Sequence, residues 1–143
     1  MKNRGGFAWW ELAVILLVTG FLAGITIPKF RNFIVRSKEA ATKGGLASLR
    51  SAVNVYYRDN GNVYPTDTLQ SLTKDRKYIP EIPLVQLPGT GHPDSNVVRP
   101  AQKISDEGGW IYYNDRTSLA DWGRVVINCS HYDSKKEIVW SEL

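Results

Sequence analysis

The sequence contains an apolar run near its N-terminus that is long enough to cross a lipid bilayer as a helix. Residues 12–27 carry no charged side chain, and Glu11 is the one charged residue within 7–27. A helix needs about 20 predominantly apolar residues to span a hydrocarbon core of roughly 30 Å. A soluble domain has no use for such a run, so the sequence predicts a membrane-inserted helix.

A short basic leader, residues 1–6, precedes the apolar run and ends in Gly5-Gly6. An ordinary secretory signal peptide has a shorter apolar region and a small-residue cleavage site after it. Here the glycines lie before the run, and the run leads directly into an amphipathic helical pattern. An ordinary signal peptide and an uncleaved signal anchor are the alternatives, and both fit this order of features less well.

Glu11 is an acid inside the apolar run, where a charged side chain costs roughly 2.5–3.5 kcal/mol on insertion scales. An intramembrane acid needs a partner, and cleavage after Gly6 would create one, the α-amine of Phe7. Residues four apart lie on the same face of a helix, so Glu11 could pair with its own terminus or with that of a neighbouring subunit. Simple solvation at headgroup level is the alternative for this carboxylate.

These features together resemble the N-terminus of type IV pilins and type II secretion pseudopilins, the class III prepilin signal. The matching segment is Gly5–Phe30, GGFAWWELAVILLVTGFLAGITIPKF. The resemblance implies that a prepilin peptidase cuts after Gly6 and that Phe7 becomes the N-methylated terminus. It further implies that Glu11 of one subunit pairs with the Phe7 amine of another during assembly of a filament.

Gly20 and Pro28 match the helix-weakening residues of the same family. Proline removes a helical hydrogen bond and clashes with the preceding turn. We predict that residues 20–28 melt in an assembled filament. Trp9 and Trp10 depart from the family, which more often has small or aliphatic residues there, and tryptophan favours the membrane–water interface.

The formal charge of +4 is concentrated beside the membrane segment. Residues 29–43 hold five basic residues and one acid, whereas residues 44–143 hold 11 basic and 12 acidic residues. This basic collar could bind anionic headgroups or acidic faces of neighbouring subunits, or it could be a solvated helix face. Because the remainder is nearly neutral, we expect no nucleic-acid partner.

The helical pattern continues to Asp59, where Asp-Asn-Gly predicts a stop. Gly44-Gly45 should loosen or bend the helix. A helix over 7–59, with its transmembrane part at 7–28, would be about 80 Å long. The remaining 84 residues cannot cover it, which is an independent argument for lipid contact and assembly. The apolar stripe is predicted to contain Phe30, Ile34, Ala41, Leu49, Val53 and Tyr56.

Residues 60–143 are predicted to form a globular head, with a variable loop at 60–107 and a sheet at 108–143. Pro65 and Thr66 should open a short helix that turns Leu69 and Leu72 inward. Five prolines within 78–100 argue against regular structure there. The expected anchors of this loop are Ile79, Ile82, Leu84, Val85 and Leu87.

Three short β-rich segments, residues 110–114, 124–129 and 136–140, predict a three-stranded antiparallel sheet. The sheet should pack on the distal half of the long helix. The predicted class is therefore α+β with a half-transmembrane N-terminal helix, and the resemblance implies the pilin fold. The aromatic residues expected in its core are Trp110, Tyr112 or Tyr113, Trp122 and Trp140.

The sequence shows little enzyme chemistry. His92 and His131, the two histidines, do not stand at metal-ligand spacing with a second ligand. The chain has no phosphate-binding glycine motif and no GxSxG motif, so we predict that it is not an enzyme. Cys129, the one cysteine, should be a buried thiol, with pairing between chains as the alternative.

We expect no bound cofactor and no metal. The donors that a calcium ion would use are Asn114, Asp115 and Asp121, but no EF-hand-like spacing supports them.

The expected function is that of a structural subunit of a type IV pilus-like filament. The alternatives are a type II secretion pseudopilin and a membrane-tethered extracytoplasmic binding domain that does not assemble. The partners that the resemblance implies are other copies, related pilins, the prepilin peptidase, an inner-membrane assembly platform and the bilayer. The precursor would be a single-pass bacterial inner-membrane protein with its head in the periplasm or outside. After assembly it would lie in a cell-surface or periplasmic filament.

Overall fold

The computed structural model describes residues 9–100 and 103–143. Helix α1 spans Trp9–Asp59 and helix α2 spans Gln70–Thr73. The strands are β1 (Val98–Pro100), β2 (Trp110–Tyr112) and β3 (Val125–Ile127). Short 3₁₀ helices occupy Lys74–Arg76 and Trp140–Glu142. The chain divides between Val35 and Arg36 into two compact units.

The C-terminal end of α1 lies where the sequence predicted it. Gly61 has a φ of 64°, the left-handed conformation that commonly ends a helix. The backbone N–H of Asn62 donates to the Tyr57 carbonyl, and the Asn60 side chain donates to the Tyr56 carbonyl. Two of the last carbonyls of the helix are thus satisfied, and the predicted stop at Asp59 is confirmed.

One face of α1 forms the centre of the core of residues 36–143. Its buried positions recur every three or four residues, as one face of a helix requires. Leu49 and Val53 were predicted, but Ala41 is exposed and the neighbouring Thr42 is buried instead. Phe30 and Ile34 belong to the N-terminal unit and are exposed, as expected for the half of the stripe that was predicted to face lipid or other subunits. The buried residues of α1 are Glu39, Thr42, Gly45, Leu46, Leu49, Ala52 and Val53.

Gly45 lies where Pro83 and Trp110 pack closely against α1. A Cβ added at Gly45 would lie 2.9 Å from the Pro83 Cβ, and 3.6 Å from the Trp110 ring, so only glycine lets these groups approach. At Gly44 the same addition would meet nothing within 4 Å. Helix α1 continues without interruption through both residues, and the expected loosening or bend at the glycine pair stays a prediction.

The sheet has the order β1-β2-β3 and is mixed. Strands β2 and β3 pair antiparallel, with Ile111 opposite Val126, as predicted. Strand β1 pairs parallel to β2, with Arg99 opposite Ile111. The third predicted strand, 136–140, is instead an isolated bridge between Tyr132 and Val139 followed by a 3₁₀ helix. The α+β class is confirmed, whereas the wholly antiparallel pairing is wrong.

Strand β1 lies inside the proline-rich segment where no regular structure was expected. It is an edge strand, and Pro100 is its last residue, so the missing proline N–H disrupts no central ladder. Of the predicted loop anchors, Ile79, Val85 and Leu87 are buried and Ile82 packs against the core, but Leu84 is exposed.

The core contains aromatic residues from both ends of the head. Trp110, Tyr112 and Trp140 are fully buried, as predicted, while Trp122 is half-buried. The Trp110 Nε1–H donates to the Pro83 carbonyl and the Tyr112 hydroxyl donates to the Pro65 carbonyl, both at 2.8 Å. Leu69 and Leu72 are buried as predicted, although α2 begins only at Gln70. The hydrogen bonds of Trp110 and Tyr112 connect β2 to the loops that contain Pro83 and Pro65.

Candidate functional site

The described part of the N-terminal unit, residues 9–35, presents apolar side chains to its surroundings. Leu17 and Phe21 are 73% and 68% exposed, values that would be costly in water for a run of this length. The large exposed apolar residues here are Trp9, Trp10, Leu12, Val14, Ile15, Leu16, Leu17, Val18, Phe21, Leu22, Ile25, Ile27, Phe30, Phe33 and Ile34. This exposed set is the candidate site for contact with lipid or with other subunits.

By length and composition, α1 contains a segment that could cross a membrane, and none of that segment is buried. Two threonines lie inside it. The Thr19 hydroxyl donates to the Ile15 carbonyl and the Thr26 hydroxyl donates to the Leu22 carbonyl, at 2.7 and 2.8 Å. Both hydroxyl protons are therefore satisfied within the helix. This lowers the free-energy cost of moving the two hydroxyls from water into an apolar environment.

Three residues were predicted from the sequence to act in processing and assembly, namely Gly6, Phe7 and Glu11. Gly6 and Phe7 lie outside the described residues. Glu11 lies in the first turn of α1 and is half-buried. A carboxylate is favourable there because the first backbone N–H groups of a helix point toward the N-terminus.

The two helix-weakening positions both lie within α1. A Cβ added at Gly20 would have no neighbouring heavy atom within 4 Å, so packing does not require glycine at this position. Pro28 is accommodated inside the helix. Melting of residues 20–28 concerns an assembled filament and stays a prediction.

The basic collar divides into two groups. Lys38 lies 3.4 Å from Asp94, and Lys43 lies 3.5 Å from Asp133 and 5.4 Å from the centre of the Trp140 ring. These two lysines serve the internal structure of residues 36–143. The remaining collar residues, Lys29, Arg31 and Arg36, are exposed.

Glu39, the acid of the collar, is buried and bonded to the C-terminal part of the chain. Its carboxylate accepts the backbone N–H of Ser134 at 2.7 Å and the Ser134 hydroxyl at 2.9 Å. This pair joins residues 95 positions apart. The sequence offered no signal for it, because a serine in a turn has many possible partners.

Two of the three candidate calcium donors, Asp115 and Asp121, use their carboxylate oxygens in contacts with other residues of the head. Asp115 accepts the backbone N–H and hydroxyl of Thr117, and these bonds hold the pKa of its carboxyl below the usual range. Asp121 pairs with Arg124 at 3.1 Å, and the Asn114 amide donates to the Thr66 carbonyl. The expectation that no calcium binds here stays a prediction.

The fold brings together four potential metal ligands that the sequence did not associate. They are His92, Asp106, Cys129 and His131, and their ligand atoms all lie within 4.8 Å of one another. Burial raises the pKa of the Cys129 thiol, and hydrogen bonds from Ser130 hold the pKa of the Asp106 carboxyl below its usual range. The available signal was the donor chemistry of these residues, since their spacing matches no short metal motif.

The chain is similar to curated type IV pilins and fimbrial proteins. It is 30% identical over 88 residues to the fimbrial protein EcpC of Eikenella corrodens, covering 59% of this chain and 56% of that protein. It is 36% identical over 58 residues to the type IV major pilin protein PilA of Myxococcus xanthus (strain DK1622), covering 41% and 26%. It is 32% identical over 60 residues to the type IV major fimbrial protein FimA of Dichelobacter nodosus, covering 41% and 38%.

The chain thus spans between 26% and 56% of the length of these relatives. No protein-family profile and no solved structure matches it. The resemblance to the type IV pilin superfamily drawn from the N-terminal motif is confirmed by these relatives.

Proposed function

We propose that this chain, with its similarity to type IV pilins, is a structural subunit of a type IV pilus-like filament and has no enzymatic role. The observation that carries the proposal is the exposed apolar surface of residues 9–35. Lipid would cover this surface in the precursor, and the same segment of other subunits would cover it after assembly. The surface supports a membrane-anchored precursor and a surface filament as its two environments.

Processing and assembly are the finer parts of this proposal. The prepilin peptidase removes residues 1–6, and Phe7 becomes the methylated terminus. Glu11 then pairs with the Phe7 amine of a neighbouring subunit and sets its register. The assembly platform of the inner membrane and related pilins are the further partners. Support comes from the Gly6-Phe7 junction in the sequence and from the place of Glu11 in the first turn of α1.

The first experiment is intact-mass and N-terminal analysis of protein sheared from cells that express their own peptidase. A chain that begins at methylated Phe7, in a high-molecular-weight sheared fraction, is the expected result. An intact Met1 found only in the membrane pellet would overturn the proposal and favour a tethered domain that does not assemble.

Two substitutions separate processing from assembly. Gly6→Val should block cleavage, whereas the neighbouring Gly5→Val serves as its matched control and should leave cleavage intact. Glu11→Leu should abolish the sheared filament while cleavage persists. A tethered domain would instead tolerate Glu11→Leu and retain its membrane association, because the substitution removes a charge from the apolar run.

One observation favours a type II secretion pseudopilin as the second candidate. Cys129 is the one cysteine of the chain and is buried, so the C-terminal disulfide loop of many pilins cannot form within it. A deletion strain distinguishes the two candidates. Loss of surface filaments with normal protein secretion is the expected result, and loss of secretion with intact surface filaments would favour the pseudopilin.

A further inference from the structure

The head contains a cluster of nitrogen, sulfur and oxygen donors contributed by three separate segments. His92 comes from the loop before β1, and Asp106 comes from the connection between β1 and β2. Cys129 and His131 follow β3 directly. The His92 and Asp106 side chains are 12% and 38% exposed, Cys129 is fully buried, and the His131 side chain is 51% exposed.

The distances from the His131 Nδ1 to the His92 Nε2 and to the Cys129 Sγ match the edges of a tetrahedron around one metal ion, and all four donor atoms lie within 4.8 Å of one another. Zinc–nitrogen bonds of about 2.05 Å and zinc–sulfur bonds of about 2.3 Å place two nitrogens about 3.3 Å apart and a nitrogen and a sulfur about 3.6 Å apart. The His92 Nε2 lies 3.3 Å from the His131 Nδ1, and the Cys129 Sγ lies 3.5 Å from the same Nδ1. The Asp106 Oδ1 lies 3.6 Å from the His131 Nδ1 and 3.9 Å from the His92 Nε2.

Residues outside the cluster hold the Asp106 ligand in place. The Ser130 backbone N–H and hydroxyl donate to the two carboxylate oxygens of Asp106. A carboxylate oxygen has a second lone pair, so Oδ1 can accept the Ser130 N–H and still face a cation. The backbone N–H of His131 lies 3.4 Å from the Cys129 Sγ, as a donor to a thiolate would.

The neighbouring loops are also built around this position. Asn128 is fully buried, and it accepts the Ser105 backbone N–H at 2.8 Å while its amide donates to the Ser105 hydroxyl at 2.9 Å. Gly108 has a φ of 73°, and a Cβ there would lie 3.4 Å from the His92 Cβ. The backbone that carries the four donors is therefore fixed by hydrogen bonding and close packing of its own.

The donor types select the class of ion. Calcium and magnesium prefer oxygen ligands, whereas imidazole and thiolate together suit zinc and similar transition metals. Four protein donors leave no open position, which is the arrangement of structural zinc sites. We propose that His92, Asp106, Cys129 and His131 form a structural zinc site in the head.

The bound ion would connect the loop of His92 and the connection of Asp106 to the end of β3. A chain with a single cysteine cannot make this connection with an internal disulfide. Small domains commonly compensate for a limited core with disulfides or a structural metal. Zinc coordination would also keep the thiol from oxidation in an oxidising compartment. This role is independent of filament assembly.

The test is cobalt and zinc titration of the full-length, chelator-stripped chain in detergent, without a histidine tag. We expect one Co²⁺ per chain, strong visible absorption typical of tetrahedral coordination and a near-ultraviolet thiolate-to-cobalt band. One equivalent of Zn²⁺ should remove both signals. Weak octahedral absorption, or no binding, would overturn the proposal.

Variants assign the ligands. Cys129→Ser should lose the thiolate band, and Asp106→Asn should weaken Zn²⁺ binding by about 100-fold or more, beyond the 10–100-fold typical of supporting groups. Glu107→Gln, at the exposed acid next to Asp106, is the matched control and should bind as the wild type does. Wild-type affinity in Cys129→Ser would contradict the site.

A stability measurement distinguishes the loss of a zinc ligand from misfolding of the variant. The His131 side chain is 51% exposed, so the metal-free His131→Gln chain should still fold and supplies its own reference midpoint. Added Zn²⁺ should raise the midpoint of the wild-type chain in proportion to the logarithm of free zinc, by linkage, and should not raise that of His131→Gln. Equal stabilisation of both chains would show that zinc binds elsewhere and would overturn the proposal.

Discussion

Residues 9–35 leave their apolar side chains exposed, whereas the apolar side chains of residues 36–143 gather around one stripe of the same helix. The apolar side chains of the first region need an apolar environment to cover them. The second is defined by specific contacts, such as Gly45 against Pro83 and Glu39 with Ser134. A substitution should therefore affect different properties in the two regions, namely assembly in the first and folding stability in the second.

The largest contrast should come from removing an aromatic side chain. Trp110→Ala should lower the free energy of unfolding by about 3–5 kcal/mol, because it leaves a large cavity and removes the bond to Pro83. Phe21→Ala, at a residue that is 68% exposed, should change it by less than about 0.5 kcal/mol while reducing filament yield. Urea unfolding in detergent measures the first effect and shearing measures the second. Equal loss of stability in both variants would break the comparison.

The two acids of α1 provide the next contrast. Glu39→Ala should cost about 1–3 kcal/mol of unfolding free energy, because the Ser134 N–H loses its acceptor. Glu11→Ala should leave the unfolding of residues 36–143 unchanged. A double-mutant cycle with Ser134→Ala checks the assignment, since the Glu39 effect should shrink in that background. Ser134→Ala removes the hydroxyl but keeps the backbone N–H, so an undiminished effect would mean that the hydroxyl bond contributes nothing and that the N–H bond carries the effect.

The adjacent glycines sharpen the comparison within the helix itself. Gly45→Ala should destabilise the head by about 1–3 kcal/mol, since the added methyl overlaps Pro83. Gly44→Ala should stabilise the helix by up to about 1 kcal/mol, because open space surrounds that position. Thermal unfolding of the two variants gives the sign directly, and a matching sign would argue against the packing of Pro83 on α1.

The smallest effect is expected for the exposed collar pair. Lys38→Ala should cost less than about 1 kcal/mol, since both Lys38 and Asp94 are about 40% exposed and water screens their attraction. Lys43→Ala should cost more, because Asp133 is buried and Trp140 lies beneath the lysine. Unfolding at low and high salt distinguishes them, as only the exposed pair should lose its contribution on adding salt.

The sequence predicted those parts of the fold that depend on local pattern. The end of α1 at Asp59, the β2–β3 hairpin and the inward Leu69 and Leu72 follow from turn residues and periodicity. The buried face of α1 was partly missed, because it includes Thr42, whose hydroxyl bonds with the backbone of Gln86. A polar residue is buried only with a partner, and that partner lies 44 residues away.

The two candidate sites differ in the same respect, because one is recognised from local sequence and the other depends on long-range packing. Glu11 is recognised from its local spacing, whereas His92 and His131 are 39 residues apart and meet only through the packing of loops. Strand β1 was missed for a related reason. Its parallel pairing with β2 depends on a crossover of the chain that proline content does not reveal.

The bond between Glu39 and Ser134 joins residues 95 positions apart, so it forms only after most of the chain has been made. The stripe of α1 is synthesised first, but Trp140, which completes the core, is made about 90 residues after Leu49. The core therefore cannot close during synthesis of its first elements, and Leu46, Leu49 and Val53 stay uncovered until the C-terminal segment has been made. During this interval the uncovered apolar stripe makes the newly made chain prone to aggregation, so its exposure time should govern the yield of folded protein.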